Sequence, residues 1–351
     1  DRPVHAIAED RRGRLWFAAT DDLVELEGDA WSFHRLPQNR RTHTVQTESV
    51  CPLPDGRVAL KTFEVGRGGA LLLFDPRRRR FQGVVHPEGR DIALIAPRAD
   101  GTVWVESTVG RDSGFRLDIY DGQSFRKYLE MGSDWSYGDL RYILERPGGE
   151  LWLGATAGGG VWRDGRFTPF PARDEYAGNG VFALAEVEPG QVLAGGRNDL
   201  LRFQGGAWSL WRPALDRVRA ISRDREGTLW VASATGVHRF QNGHWITNAA
   251  EEGLPSTVAY KVFQDRRGRI WAGTARGLSL FYPQADRDPP RTLLTPASNV
   301  REASPEGNVR IVFSAIDKWK YTAADRLLFS HRLDGGSWSP YTTAQVAAYQ
   351  R

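Results

Sequence analysis

The stretch Asp265–Leu278 reads Asp-Arg-Arg-Gly-Arg-Ile-Trp-Ala-Gly-Thr-Ala-Arg-Gly-Leu, and Asp224–Val237 repeats its plan. Its centre is Gly-x-hydrophobic-Trp. Five copies of this centre begin at Gly13, Gly101, Gly149, Gly227 and Gly268, and two degenerate copies begin at Gly56 and Gly190. Neighbouring copies lie 37 to 48 residues apart. Near-even spacing at this period is typical of a repeat architecture in which each copy is one supersecondary unit.

Each copy predicts four short antiparallel strands. A short apolar run comes first, and an Asp such as Asp10 then opens a tight turn by bonding the backbone two residues on. The Trp strand follows, then a third strand, and hairpins such as Asp164–Phe167 lead to a fourth. Four strands per repeat form one propeller blade, so the predicted fold is all-β, a seven-bladed β-propeller. Because the Trp recurs at one place in each sheet, we expect it to pack between neighbouring blades.

This repeat unit resembles the two-component regulator propeller, which is found in extracytoplasmic sensors of bacterial hybrid histidine kinases and related receptors. The resemblance covers residues 1–283. Further along, Arg310–Asp317 and Phe329–Trp338 are similar to the triple-tyrosine module that follows such propellers, although Phe329 and His331 stand at positions more often held by Tyr. The resemblance implies a propeller over residues 1–285 and a C-terminal Ig-like β-sandwich over residues 286–351. We expect this sandwich to be incomplete, with its final strands beyond Arg351.

The repeat is irregular in three of its copies. Blades 2 and 5 have Ala59 and Leu193 in place of the Trp. Blade 7 has no obvious fourth strand, and two sources for it stay open: Arg291–Thr295, or residues upstream of Asp1. A ring of blades is expected to close by pairing strands from both parts of the chain, because closure removes the exposed sheet edge.

The composition agrees with many short strands and gives no sign of nucleic-acid binding. The 351 residues include 38 Gly, 19 Pro and 13 Trp, and the net charge is +4. We interpret Arg77–Arg80 as a solvated turn, since the run lies between turn residues. Cys51 is the one cysteine, so a disulfide within the chain is excluded. The sequence shows neither a signal peptide nor an apolar run of bilayer length, and a membrane anchor is expected outside it.

Signatures of catalysis are missing from the sequence. The seven His residues do not have the spacing of a helical zinc site, and the Gly-rich stretches join strand to strand instead of leading into a phosphate-binding helix. We therefore predict no catalytic residue, no metal and no cofactor. Carboxylate pairs around the pore, as in propeller glycosidases or lyases, stay open as an alternative.

A ligand is expected at the loops that join second to third strands and fourth to next first strands, since these share one face of a propeller. Arg side chains beside exposed aromatic rings suit sugars and carboxylated oligosaccharides. The candidate ligand-binding residues in these loops are Arg67, Arg111, Trp135, Tyr137, Tyr176, Arg197 and Arg276. The alternative is that all seven are ordinary surface residues.

The resemblance implies a sensor domain on the periplasmic or extracellular side of a bacterial inner membrane. Such a domain binds a small solute or glycan fragment and relays the signal to a membrane-anchored output domain, and a homodimer through the C-terminal module is expected. Two alternatives remain: a secreted or periplasmic propeller enzyme, such as a lyase or glycan-acting hydrolase, and a protein-interaction platform. The missing Gly-His and Trp-Asp signatures count against the last.

Overall fold

Seven antiparallel sheets follow one another along most of the chain. The computed structural model describes residues 2–42, 48–64, 68–110, 114–132, 134–170, 180–241, 243–283, 290–294, 307–317 and 324–349. In this part of the chain all regular structure is β-strand, apart from two single 3-10 turns at Ala250–Glu252 and Ala324–Arg326. The prediction of an all-β chain is confirmed.

The sheets are numbered here in chain order, and the first strand of each is called its inner strand. Sheet 2 is an exception: its inner strand is Val50–Pro52, and Arg40–Arg41 pairs further along the same neighbour. Sheet 1 contains Val4–Glu9, Leu15–Ala19, Asp22–Glu27 and Ala30–Arg35; sheet 2 contains Arg40–Arg41, Val50–Pro52, Val58–Glu64, Gly68–Asp75 and Arg80–Val84; sheet 3 contains Asp91–Pro97, Val103–Thr108, Phe115–Tyr120 and Phe125–Met131; sheet 4 contains Leu140–Glu145, Leu151–Ala155, Gly158–Arg163 and Arg166–Pro169; sheet 5 contains Ala183–Glu188, Gln191–Gly195, Leu200–Gln204 and Ala207–Arg212; sheet 6 contains Ala220–Arg223, Leu229–Ser233, Gly236–Gln241 and His244–Asn248; sheet 7 contains Ala259–Gln264, Ile270–Thr274 and Gly277–Phe281.

Contacts between inner strands join the sheets into a ring. The inner strand of each sheet packs against the next sheet in order, and Val4–Glu9 of sheet 1 packs against Ala259–Gln264 and Ile270–Thr274 of sheet 7. The first and last sheets therefore meet, and the inner strands surround a common axis.

The repeated tryptophans fill the interfaces of this ring. Trp16 of sheet 1 packs in one cluster with Val58, Leu60 and Phe74 of sheet 2, and Trp271 of sheet 7 packs with Phe17 of sheet 1. All five repeat tryptophans are buried. The expectation that they pack between sheets is confirmed, and their recurrence reflects packing of the core.

The position two residues after the Trp is restricted to small side chains. A Cβ atom on Gly154 would lie 2.7 Å from the carbonyl oxygen of Val181, one on Gly195 would lie 2.2 Å from Cγ1 of Val218, and one on Gly273 would lie 2.4 Å from the carbonyl oxygen of Val4. Each neighbouring atom lies on, or immediately before, the inner strand of the next sheet. Sheets 1 and 6 have Ala18 and Ala232 at this position.

A separate three-stranded antiparallel sheet lies near the end of the chain. It consists of Arg291–Leu294, Val309–Ile316 and Val346–Tyr349, and Phe313, Phe329 and Ala347 form its small core. One of the two candidates for the fourth strand of blade 7 is therefore wrong, because Arg291–Leu294 pairs with Val309–Ile316. Among the described residues, sheet 7 has three strands.

Candidate functional site

One face of the ring carries both kinds of loop that were expected to form a ligand site. The loop after sheet 3 hydrogen bonds to the second-to-third turn of sheet 4, with Ala157 N donating to Tyr137 O at 2.9 Å. The loop after sheet 5 bonds the second-to-third turn of sheet 6 in the same way, with Ala234 N donating to Asp216 O at 2.7 Å, and also bonds the turn of its own sheet, from Leu215 N to Asn198 O at 2.7 Å. This face is called the mouth face below.

Four of the seven candidate residues lie in the described part of the chain. Trp135 is half-buried, its ring contacts Phe115 and Tyr137, and its indole N–H donates to Gly138 O at 2.6 Å. Through these contacts Trp135 and Tyr137 pack between sheets 3 and 4. Arg197 and Arg276 are exposed in the second-to-third turns of sheets 5 and 7. Arg67, Arg111 and Tyr176 lie outside the described residues.

The inner strands carry polar groups towards the axis at the mouth face. A β-bulge interrupts the inner strands of sheets 1, 3, 4 and 7 at the same place, next to His5, Ala93, Arg141 and Tyr260. Bulges re-aim side chains and recur beside functional sites. The equivalent place in sheet 2 is held by Glu48, because the next residue, Ser49, accepts the backbone hydrogen bond of Lys61.

Glu48 and two residues that follow bulges, Tyr142 and Lys261, meet across the ring. Lys261 of sheet 7 forms an ion pair with Glu48 of sheet 2, and the hydroxyl of Tyr142 from sheet 4 donates to the same Glu48 oxygen at 3.4 Å. Sheets 2, 4 and 7 are not neighbours in the ring, so this contact bridges the axis. A cavity of about 10 Å³ beside it is lined in part by Glu48, Arg141 and Tyr142, and has room for about one water molecule.

Lys61 and Glu106 are the most unusual residues of this face. They occupy the restricted position two residues after the Trp position in sheets 2 and 3, where the other five sheets have Ala or Gly. Both side chains are buried, and neither makes a hydrogen bond or ion pair with any described residue. Neither residue was among the predicted site residues, although the sequence carries a signal for them: two adjacent repeats replace a small residue with a long charged one.

Burial shifts the pKa values of both groups toward neutral pH. Burial lowers the pKa of Lys61 to about 8, and Glu106 partly opposes this. Burial also raises the pKa of Glu106 to about 8, with a further contribution from Asp139 and opposition from Lys61 and Arg141. At neutral pH the lysine is therefore mostly charged and the glutamate mostly neutral. Unpaired buried groups of this kind mark candidate binding or catalytic sites.

Two buried hydroxyl groups lie close to Lys61 in the fold. The side-chain oxygens of Ser49 and Ser107 have no hydrogen-bond partner among the described residues. No described group of three or more His, Cys, Asp or Glu side chains is arranged to hold a metal ion. The described residues also contain no helix with the length and apolarity needed to cross a bilayer.

The ring of sheets defines a β-propeller. The profile of the family described as two component regulator propeller matches residues 1–21 and 253–276, which belong to sheets 1 and 7 and the segment that leads into sheet 7. A search of curated proteins finds no match.

Several solved structures share the fold. The extracellular domain assigned to the hybrid two component system BT3049 of B. thetaiotaomicron is 17% identical with a TM-score of 0.65, over 99% of this chain and 51% of that chain. The one assigned to BT4673 of the same organism is 17% identical with a TM-score of 0.63, over 84% and 39%. The WD40 β-propeller domain of Doa1 is 14% identical with a TM-score of 0.57, over 81% and 94%. This chain thus spans at most about half the length of the two ectodomains, and at these identities the likeness shows the fold alone.

Proposed function

We propose that this chain is the extracytoplasmic sensor domain of a bacterial signal-transduction receptor. It binds a small solute or glycan fragment and relays binding toward a membrane-anchored output domain, such as a histidine kinase. In this proposal residues 1–285 form a seven-bladed propeller, and residues 286–351 form part of an Ig-like β-sandwich of the triple-tyrosine kind. The family match and the fold likeness to two receptor ectodomains support it.

One observation carries the binding role: Lys61 and Glu106 stand unpaired at positions that the other sheets fill with Ala or Gly. A buried ammonium and a buried carboxyl both oppose folding when nothing pairs with them. Sequences break their own structural rules mainly where function requires it. The mouth face is thus proposed as the recognition surface, with Arg197 and Arg276 exposed on it.

The proposal also includes a route by which binding is relayed to the C-terminal segment, and the partners of the protein. The C-terminal segment is joined to the ring by Arg326, whose guanidinium donates to Thr247 O of sheet 6 at 2.6 Å and pairs with Glu251 at 3.2 Å. This contact gives a path from the ring to the C-terminal sheet. We propose a homodimer through the C-terminal module, a periplasmic or extracellular location, and no nucleic-acid partner.

A thermal-shift screen with a glycan and solute library tests the binding role, because a ligand that binds only the folded state raises the melting temperature. The informative variant is Lys61→Ala/Glu106→Ala, which returns both positions to the residue type of the other sheets. Its matched control is Lys127→Ala/Glu130→Ala, an ion pair on the outer strand of sheet 3. A ligand is expected to stabilise the wild type and the control but not the Lys61/Glu106 variant. An equal shift in that variant, or no shift with any compound, contradicts the proposal.

An enzymatic role is the second candidate, and the pKa values of Lys61 and Glu106 favour it. Two groups that both titrate near neutrality could serve as general base and general acid in a lyase. Incubation with uronate-containing polysaccharides, followed by ultraviolet detection of unsaturated products, tests this role. Turnover that disappears in Lys61→Ala would favour the enzyme, and binding without turnover would favour the sensor.

A further inference from the structure

We propose that the wedge between sheets 2 and 3, at the mouth face, binds the carboxylate of a small hydroxylated acid, with Lys61 as the cation and Ser49 and Ser107 as hydroxyl donors. This inference rests on the proposed recognition function and names the ligand class for the same face. It is argued from three features: the unpaired charge of Lys61, the convergence of the three side chains, and the narrowness of the wedge.

Lys61 differs from the other buried cations. Arg14 is paired with Asp10 at 2.7 Å, and Arg116 is paired with Asp118 at 2.8 Å. Among the buried lysine and arginine side chains of the described residues, Lys61 is the one that has no carboxylate within hydrogen-bond reach. A buried ammonium costs several kcal/mol unless it is paired. An anion supplied by a ligand would compensate that cost.

Three polar side chains face the same interface. Lys61 lies two residues after Ala59, and Ser49 lies opposite Lys61 and two residues before Cys51; Ala59 and Cys51 belong to the core cluster between sheets 2 and 3. Ser107 lies two residues after Val105, which belongs to the same cluster. Since side chains alternate along a strand, all three project into this interface.

The surroundings of Lys61 keep the wedge positive at neutral pH. Glu106 of sheet 3 and Arg141 of sheet 4 are the charged groups that act on Lys61, and burial keeps Glu106 largely protonated. Cys51, on its own sheet, stays a neutral thiol because burial raises its pKa. A neutral glutamate and a second cation leave Lys61 free to bind an anion. One ammonium and two hydroxyls offer the charge and the donors that suit a monoanionic carboxylate.

The space beside Lys61 is narrow. The strands approach so closely beside it that a Cβ atom on Gly69 would lie 1.9 Å from the carbonyl oxygen of Ile92 in sheet 3. At most the carboxylate end of a ligand would reach Lys61 from the mouth, and the hydroxylated remainder would lie at the mouth face. Phosphate is larger and carries more charge, and it serves as a competing probe in the test.

The test compares sodium glucuronate, glucose, sodium acetate and inorganic phosphate by calorimetric titration of the whole chain. Glucuronate is expected to bind, acetate to bind more weakly, and glucose to bind at least roughly tenfold more weakly than glucuronate. Lys61→Met is expected to abolish glucuronate binding, whereas the matched control Lys127→Met, an exposed lysine on sheet 3, keeps it. Glucuronate affinity is expected to fall about tenfold from pH 7 to pH 9 as Lys61 and Glu106 both lose a proton.

Equal affinity for glucose and glucuronate overturns the inference, as does glucuronate binding that survives Lys61→Met or shows no pH dependence. Preferential binding of phosphate also overturns it. The pH profile needs only the wild type, so the test holds even if Lys61→Met does not fold. A neutral glycan that requires Glu106 but not the charge of Lys61 would overturn this inference and leave the sensor proposal standing.

Discussion

The carboxylate of Asp265 accepts a hydrogen bond of 2.9 Å from the indole N–H of Trp271, six residues further along. Its other oxygen accepts from the backbone N–H groups of Arg267 and Arg269. One side chain therefore closes the hairpin between two strands and also orients the ring that packs against sheet 1. Asp10 with Trp16 and Asp224 with Trp230 repeat this arrangement, at 3.3 and 2.8 Å.

Replacing Asp265 by Ala is expected to lower the apparent free energy of unfolding in urea by about 2–4 kcal/mol, because it leaves an indole N–H and two backbone N–H groups without their acceptor in a buried site. The matched control is Asp55→Ala. Asp55 bonds the backbone of Arg57 in the equivalent hairpin of sheet 2, which is exposed and has no Trp, and we expect a cost below about 1 kcal/mol. Equal losses in the two variants would show that the indole bond contributes nothing.

The sequence predicted this hairpin because Asp, Gly and Trp recur at fixed spacing, and each acts through neighbours on its own two strands. It did not predict how sheets 3 and 4 manage without the Asp. Arg98 takes that place in sheet 3, stacks over Trp104 at 4.6 Å, and bonds Glu145 of the next sheet at 2.9 and 3.1 Å. Glu145 lies 47 residues away and accepts the indole bond as well. Such a contact depends on the angle between sheets, which no local pattern encodes.

The sequence predicted a site in the loops of the mouth face, and the residues proposed from the structure lie on the same face but in strands. Loop position follows from strand order, so the mouth face could be deduced. Trp135 looked available for a ligand, yet its ring and its N–H are occupied by neighbours in the fold. Lys61 and Glu106 lie inside strands, whereas the residues predicted from the sequence all lie in loops. Only the close approach of the next sheet shows why a long side chain at that position is exceptional.

Glu106→Gln is expected to change how stability depends on pH. Glu106 has a folded pKa of about 8 against an ordinary value of 4.5, so the folded state holds its proton more tightly. Between these two values the unfolded chain binds fewer protons, and Glu106 makes the wild type less stable as pH rises. The free energy of unfolding of Glu106→Gln, relative to that of the wild type, should therefore rise by at least about 1 kcal/mol from pH 5 to pH 8.

Urea denaturation at both pH values measures this difference. Glu130→Gln is the control, because Glu130 is an exposed carboxylate paired with Lys127 on the outer strand of sheet 3 and is not among the groups that shift the pKa of Glu106. A Glu106→Gln variant whose advantage stays constant across this pH range would mean that Glu106 is not held protonated. Lys61 acts in the opposite direction: its contribution to stability rises with pH above about 8, where the folded state has already lost a proton that the unfolded chain retains.

The bridge across the axis can be tested with a double-mutant cycle. Lys261→Met leaves Glu48 as a partly buried carboxylate without its cation and is expected to cost about 1–3 kcal/mol. Adding Glu48→Gln removes that charge, so the double variant should be more stable than Lys261→Met alone. Tyr142→Phe is the control: its bond to Glu48 is long, at 3.4 Å, and we expect a loss below about 1 kcal/mol. Additive effects of the two substitutions would mean that the ion pair does not couple sheets 2 and 7.

Arg326 is expected to hold the C-terminal sheet against the ring. Its guanidinium contacts Glu251, Glu252 and the carbonyl oxygen of Thr247, which lie in or after the last strand of sheet 6. Arg326→Ala removes these charge-assisted bonds, so backbone amides of Val309–Ile316 should exchange with deuterium faster, while those of Ile270–Thr274 in sheet 7 keep their rate. Arg332→Ala is the control, because Arg332 stacks on Trp338 within the C-terminal segment. If both variants accelerate exchange equally, stability within the C-terminal sheet controls the exchange rate, and docking through Arg326 does not. Faster exchange in Arg326→Ala alone would show that this residue holds the C-terminal sheet against the ring. The proposed relay from the mouth face could then act through Arg326, because a shift of the Ala250–Glu252 turn would move it directly.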